Sequence, residues 1–406
     1  MSVIGKNYGK PTLDLNFAGN KSLIDTTTGT NYVTFTRAQS GNEATYVGSD
    51  GLIKYASADE PRFDHDPVTG DSLGLLVEEL RTNLLSYSED FTQWTSNNTG
   101  GTNPIVTPNT IIAPDGTLTA DSVFYTSSSA ALNAIYATPP SPGLTQGVSY
   151  TFSVYLKVAS GTATIPIGIG DDNNIGNDIG INCNLTTSWQ RFSVTFTKGT
   201  GTLSGGVIGW YTNWREQGTG TPIPVGPNVD TTIHAWGAQL EQGSFPTSYI
   251  PTSGSTETRA ADEASMTASP YLYGTFFAKY KHHPGNNNFR QIFTVGSSNA
   301  YTAFVCRTTP AGSANIVLPN ITELASTANS ETSGINIAAT TRVIGDYAVC
   351  LNGGTVATSS STSDNSNNSV ITFMYGTIGA VSGGHISRFT YWPKRLPDIE
   401  LQQLTK

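Results

Sequence analysis

The chain has 406 residues, with 21 Lys and Arg against 30 Asp and Glu and a formal net charge of −9. That length allows two or three domains, each able to bury a core without disulfides. The acidic balance leaves no basic stripe for phosphate neutralisation, which excludes nucleic acid as the expected partner, and no apolar run approaches the ~18 residues a membrane span needs.

Charged residues make up 13 %, about half the usual ~25 %. Glycine is abundant (42) and aromatics reach 10 %, a composition suited to short strands and tight turns rather than to disorder. The three cysteines, Cys183, Cys306 and Cys350, are odd in number and widely spaced. They read as buried free thiols, not as a disulfide framework or a zinc site. MSVIGKNYGKPTLDLNF lacks the apolar core of a signal peptide, so the expectation is synthesis in a cytoplasm without conventional export.

In chain order, Thr12–Phe17 alternates, with Leu13, Leu15 and Phe17 on one face. Asn31–Arg37, Thr45–Val47 and Leu52–Tyr55 are further short strands, separated by the turn Gly48-Ser49-Asp50-Gly51. Glu60–Phe91 is the densest charged stretch: turns at Asp66-Pro67 and Thr69-Gly70-Asp71, an apolar run Leu73–Val77, then Glu78, Glu79 and Arg81. It reads as the joint of the molecule. Residues 1–81 form a β-rich leader too polar to hold a large core alone. It is expected to pack on a later domain, on copies of itself or on another protein.

The next block, 82–252, carries clean alternation. Tyr150, Phe152, Val154, Leu156 and Val158 share a face, as do Phe192, Val194 and Phe196, and Thr231–Leu240 closes the block. Such strands with turn-rich spacers predict an antiparallel jelly roll. Residues 253–270 are a linker. Block 271–406 resumes strands at Gly274–Tyr280, Arg290–Val295, Thr302–Arg307, Arg342–Leu351 and His385–Trp392, with a hairpin turn at Asn352-Gly353-Gly354. Pro397–Leu404 is a short helix with Leu401 and Leu404 facing inward. The fold class is all-β and multi-domain: a leader, then two antiparallel β-sandwiches. Thr34-Phe35-Thr36-Arg37-Ala38 also echoes Thr256-Glu257-Thr258-Arg259-Ala260.

Several segments resemble a family of tailed-phage structural proteins, including those of cyanophages, that serve as tail fibres, head fibres or spikes. They are FTRAQSGNEATYVGSDGLIKYASADEPRFDHDPVTGDSLGLLVEELRTNLLSYSEDF, YTFSVYLK, SWQRFSVTF, AWGAQLEQGSFPTSYIPTSGSTETRAADEASM and YWPKRLPDIELQQLT. The resemblance implies a carbohydrate-binding-module-like jelly roll and a concanavalin/laminin-G-like lectin sandwich. It also implies virion localisation, and carries no fixed catalytic motif.

Candidate chemistry is sparse. Gly209–Gly218 gathers Trp210, Tyr211, Trp214 and Arg215, a possible sugar platform in which aromatic faces stack on sugar rings while Asn213 and Glu216 bond hydroxyls from the rim. The alternative is burial of both tryptophans, and Trp94, Trp189 and Trp236 are assigned to the core. Asp64, Asp66 and Asp71 gather oxygens in a turn, as Ca2+ would require, and Asp171–Asp178 is a second such cluster; turn chemistry explains both as well. Glu78-Glu79 and Asp262-Glu263 are adjacent pairs, which a strand points to opposite faces, so glycoside hydrolysis is not expected. No G-x-S-x-G, H-E-x-x-H or P-loop occurs, and His282-His283 reads as a solvated turn.

The expectation is a non-enzymatic virion protein that binds host-surface glycans as a homo-oligomer, with a trimer formed through β-domain faces and the leader, beside other tail or capsid proteins. The alternatives are a connector or decoration protein without sugar binding, and a polysaccharide depolymerase.

Overall fold

The computed structural model describes residues 8–38, 41, 43–129, 132–139, 144–171, 179–199, 203–211, 214–224, 226–283, 290–296, 304–308, 314–318, 321–325, 334, 336–362, 370–374 and 383–406. Among them almost all regular structure is strand, and every named strand pairing but one is antiparallel. The two α-helices are the four-residue turn Phe17–Asn20 and the helix Asp398–Leu404.

The middle block is a sandwich of two sheets. One orders Gln190–Thr197, Ser149–Val158, Thr231–Gln242, Ala120–Tyr125 and Ile105–Ile111; the other orders Arg215–Glu216, Ile179–Leu185, Ala163–Asp171, Leu203–Tyr211, Leu132–Tyr136 and Thr95–Asn98. Strand parity sets the core. Phe152, Val154 and Leu156 meet Val194, Phe196, Ile165, Ile167 and Ile208 between the sheets, all essentially inaccessible to water. The intervening Ser153, Tyr155 and Lys157 therefore stand on the outer face.

The C-terminal sandwich is not built from the C-terminal third alone. In its eight-stranded sheet, Gly384–Trp392 lies between Gly274–His282 on one edge and both Leu13–Leu15 and Ser72–Val77 on the other, and Arg62–His65 extends the sheet. In the facing seven-stranded sheet, Val33–Thr36 pairs with Glu263–Thr267. Leu13, Leu15, Val33, Phe35, Leu75 and Val77 sit in one core with Phe276, Phe293, Phe373 and Phe389.

This corrects the expected division at Arg81. The leader is not a separate attachment unit, because its polar strands have too little apolar surface for their own core and complete a sandwich whose other strands begin near residue 263. The middle sandwich is inserted between these two contributions.

Other expectations meet the structure as follows. Arg342–Leu351 divides into Asn336–Arg342 and Tyr347–Leu351, joined by a turn at Gly345. Asn352 (φ 46°) and Gly353 (φ 70°) provide the left-handed turn into Ala357–Ser359. Leu401 and Leu404 bury against Phe277, Ala339 and Trp392 on the outer face of the eight-stranded sheet. The three cysteines are buried and unbridged.

The two sandwiches are joined by a small sheet, Arg81–Asn83 with Glu257–Arg259, and by a buried ionic cluster. Asp262 accepts from Arg37 at 2.9 Å and from Arg62, while Glu78 accepts from Arg62 at 2.7 Å and from Arg259 at 3.1 Å. All five side chains are wholly inaccessible. Burial alone would lower the Arg62 pKa, but Asp262 and Glu78 overcome that and raise it. Burial likewise pushes Glu78 up, and Arg259 and Arg62 hold it well below the usual carboxylate range. Remaining hydrogen-bond capacity is largely filled: Glu78 accepts from Ser248 N (2.8 Å) and Oγ (2.6 Å), and Arg37 donates to Ser57 O and Glu60 O. The two echoing segments thus supply Arg37 and Arg259 to one cluster.

Candidate functional site: a cleft on the outer face of the middle sandwich

The outer face of the five-stranded sheet is partly roofed. Ile53, from the hairpin Ala44–Val47/Ile53–Ala56, and Tyr249, from the segment leaving the middle sandwich, bury against Trp236 and Ala120. Beside this roof a cleft of about 850 Å3 remains. Its floor carries Tyr155, Lys157, Trp189 and Arg191, and its walls carry Tyr46, the Asp64–Val68 turn, Pro246–Tyr249, Lys281 and His283.

Parity places the floor. Phe192, Val194 and Phe196 face inward, so Trp189 and Arg191 fall on the opposite side, and Tyr155 pairs directly with Arg191 across the strands. The Arg191 guanidinium lies 5.4 Å from the Tyr155 ring centre, donates to Thr247 O at 2.7 Å and to Ser153 Oγ at 2.9 Å, and is thereby fixed. The Lys157 ammonium sits 4.8 Å over the Trp189 ring, whose Nε1–H donates to Ile112 O at 3.0 Å. Trp189 is half-buried, not a core residue as expected. Half-buried aromatics beside a few fixed polar groups are the usual lining of a ligand site.

The expected sugar platform is arranged differently. Trp210 is 6 % exposed and packs edge-on to Tyr125 at 5.5 Å inside the sandwich. Trp214 is 1 % exposed and lies across Gly168 and Gly180 on the other sheet's outer face, where a Cβ on either glycine would approach its ring to 2.9–3.0 Å. The two rings occupy opposite sides of one sheet, so they form no common stacking surface. Tyr211 meets Trp214 edge-on at 6.3 Å, and Arg215 pairs along Ile179. Asn213 lies outside the described residues, and Glu216 accepts from Thr219. Trp210 does line a separate cavity of about 590 Å3 at one end of the sandwich.

Asp64, Asp66 and Asp71 do not converge on a metal. Asp64 accepts from Val47 N (2.7 Å) and lies 2.7 Å from His385 Nε2, whereas Asp66 caps its own turn by accepting from Val68 N and Thr69 N. Asp71 accepts from Thr69 Oγ1. The three carboxylates thus face different partners, and no group of three metal-ligating side chains occurs among the described residues. Residues 172–178 of the second acidic cluster lie outside the described residues. His282 and His283 are not a solvated turn: His282 is buried, and His283 stacks on Phe245 at 5.3 Å and approaches Glu78 at 3.5 Å.

Residues 117–215 match the family described as "Carbohydrate binding domain" (CBM_4_9). That span, about a quarter of the chain, contains every residue of the cleft floor. No curated protein matches the chain. Among solved structures, the CBM40 module of the Ruminococcus gnavus IT-sialidase bound to α2,3-sialyllactose is 24 % identical, covering 33 % of this chain and 82 % of that chain, with a TM-score of 0.29. The CBM22 tandem of Paenibacillus barcinonensis Xyn10C is 12 % identical over 78 % of this chain and 98 % of that chain (TM-score 0.28). Mouse laminin α1 LG4-5 is 10 % identical over 71 % and 91 % (TM-score 0.22). All three TM-scores fall below 0.5, so the weight rests on the family match: the middle of the chain is a β-sandwich, and residues 117–215 of it are similar to a carbohydrate-binding domain.

Proposed function

We infer that this chain is a non-catalytic glycan-binding protein and that the cleft over Tyr155 and Trp189 is where sugar binds. The observation that carries this reading is the placement of half-buried aromatics and fixed donors together on the floor of one cleft, within the span matching a carbohydrate-binding domain. Its carboxylates are already engaged: Asp64 with His385, Glu78 with two arginines, and Asp66 with the Val68 and Thr69 N–H groups of its own turn. That supports binding over hydrolysis, which needs an acid/base pair free to act. The resemblance to phage fibre and spike proteins supports display on a virion, where many copies would make weak sites sufficient. In that setting the composite C-terminal sandwich mounts the inserted one.

A glycan array followed by titration calorimetry tests the reading. The intact chain should bind a defined set of oligosaccharides, and Trp189→Ala should lose about 2 kcal/mol or more of affinity, the scale of an aromatic anchor. Release of reducing ends from a bound polysaccharide would refute the non-catalytic part.

A further inference from the structure

We propose that the saccharide taken by this cleft is anionic, bearing carboxylate or sulfate groups. The inference rests on the glycan reading above and specifies its ligand.

The chain has fewer cations than anions, and its other buried or half-buried arginines are largely spent on carboxylates. Arg37, Arg62 and Arg259 hold Glu78 and Asp262, Arg81 holds Glu79, and Arg388 holds Asp14. The cleft is different. Lys157, Arg191 and Lys281 all line it, and none has a carboxylate within ion-pair distance among the described residues. Arg191 is fixed by a backbone carbonyl, a hydroxyl and an aromatic face, so its charge is oriented but not neutralised. The Trp189 ring steers Lys157. Burial lowers the Lys157 pKa and no acidic neighbour offsets it.

The acids that share the cleft offset only part of this surplus. Glu78 is matched by the arginine cluster, and Asp64 is hydrogen-bonded to His385. Asp66 is held low first by the Thr69 and Val68 N–H groups of its own turn, with Lys281 a lesser influence. Three oriented or unmatched cations beside a half-buried indole suit a ring that stacks while its charged substituent meets ammonium and guanidinium donors. A neutral sugar would leave those cations without a counter-charge once water is displaced.

The test uses the full chain and matched ligand pairs: oligogalacturonate against its carboxyl-reduced form, and a sulfated galactan oligomer against its desulfated form. The charged member of one pair should bind at least about tenfold more tightly, and which pair responds separates carboxylate from sulfate. That preference should shrink as salt rises, and Lys157→Gln with Lys281→Gln should abolish it. Both lysines are half-exposed, so the variant should keep the parental melting temperature. Equal binding of charged and neutral members would overturn the anionic specificity and leave the glycan reading standing. Binding of no member, with none on a broader neutral array, would overturn both.

Discussion

Glu78 shows what a single side chain does here. Its carboxylate serves Arg62 and Arg259 and accepts from Ser248, tying the joint to both sandwiches. Glu78→Gln would leave buried guanidiniums under-compensated, and we expect a loss of about 3–5 kcal/mol in urea unfolding. Asp121 offers a pH test. Burial raises its carboxyl from 3.8 to about 6, although Asn109 N and Phe91 N both donate to it. The folded state therefore holds this proton more tightly than the unfolded one. Its contribution makes stability fall as pH rises from 3.8 to about 6 and level off above. In Asp121→Asn that component of the pH profile should vanish. Gly168→Ala should push Trp214 off the sheet, since the new Cβ also meets Ile179 O at 2.7 Å. A cost of about 1–3 kcal/mol and a red-shifted tryptophan emission are expected. Residue parity was readable in advance for Arg191 and Tyr155, which the alternation of Phe192 and Val154 puts outside; the same parity puts Trp189 outside, against its assignment to the core. Burial of Trp214 was one of the two readings open in sequence, but its seat was not readable, because it depends on Gly168 and Gly180 of two other strands.

At the scale of elements, Ser149–Val158, Gln190–Thr197 and Thr231–Gln242 of the middle sandwich were legible in the sequence, each from its apolar face. The same held for Ser72–Val77 and for the C-terminal helix. The pairing of Leu13–Leu15 with Phe389–Tyr391 was not, since three-residue strands carry no long-range address. That pairing makes a strong prediction. Removing residues 1–81 strips the eight-stranded sheet of three strands and the seven-stranded sheet of one, so the truncated chain should be insoluble or molten. Residues 82–252 hold a closed core of their own and should melt cooperatively when expressed alone. Calorimetry of both fragments checks this.

For the whole molecule, insertion of one sandwich into another explains the buried ionic cluster. A junction crossed by chain segments at residues near 37, 62, 78 and 260 needs a fixed geometry, and paired buried charges supply directional contacts where apolar packing alone would not. The charged stretch Glu60–Phe91 announced a joint, and the segments around Arg37 and Arg259 echo each other, but that they meet, and on which carboxylates, lay beyond sequence. The candidate site was half legible. Aromatic residues with polar neighbours were sought, and Gly209–Gly218 offered the densest run, yet the cleft draws its aromatics from separate segments that only the fold assembles.

The central claim is that glycan binds over Tyr155 and Trp189. Hydrogen exchange of the intact chain, with and without an oligosaccharide that it binds, tests this most directly. Protection should appear in Tyr46–Val47, Ser153–Lys157, Trp189–Phe192 and Pro246–Tyr249. Protection confined instead to Ala159–Thr164 and Gly226–Thr232, around the Trp210 cavity, would contradict it.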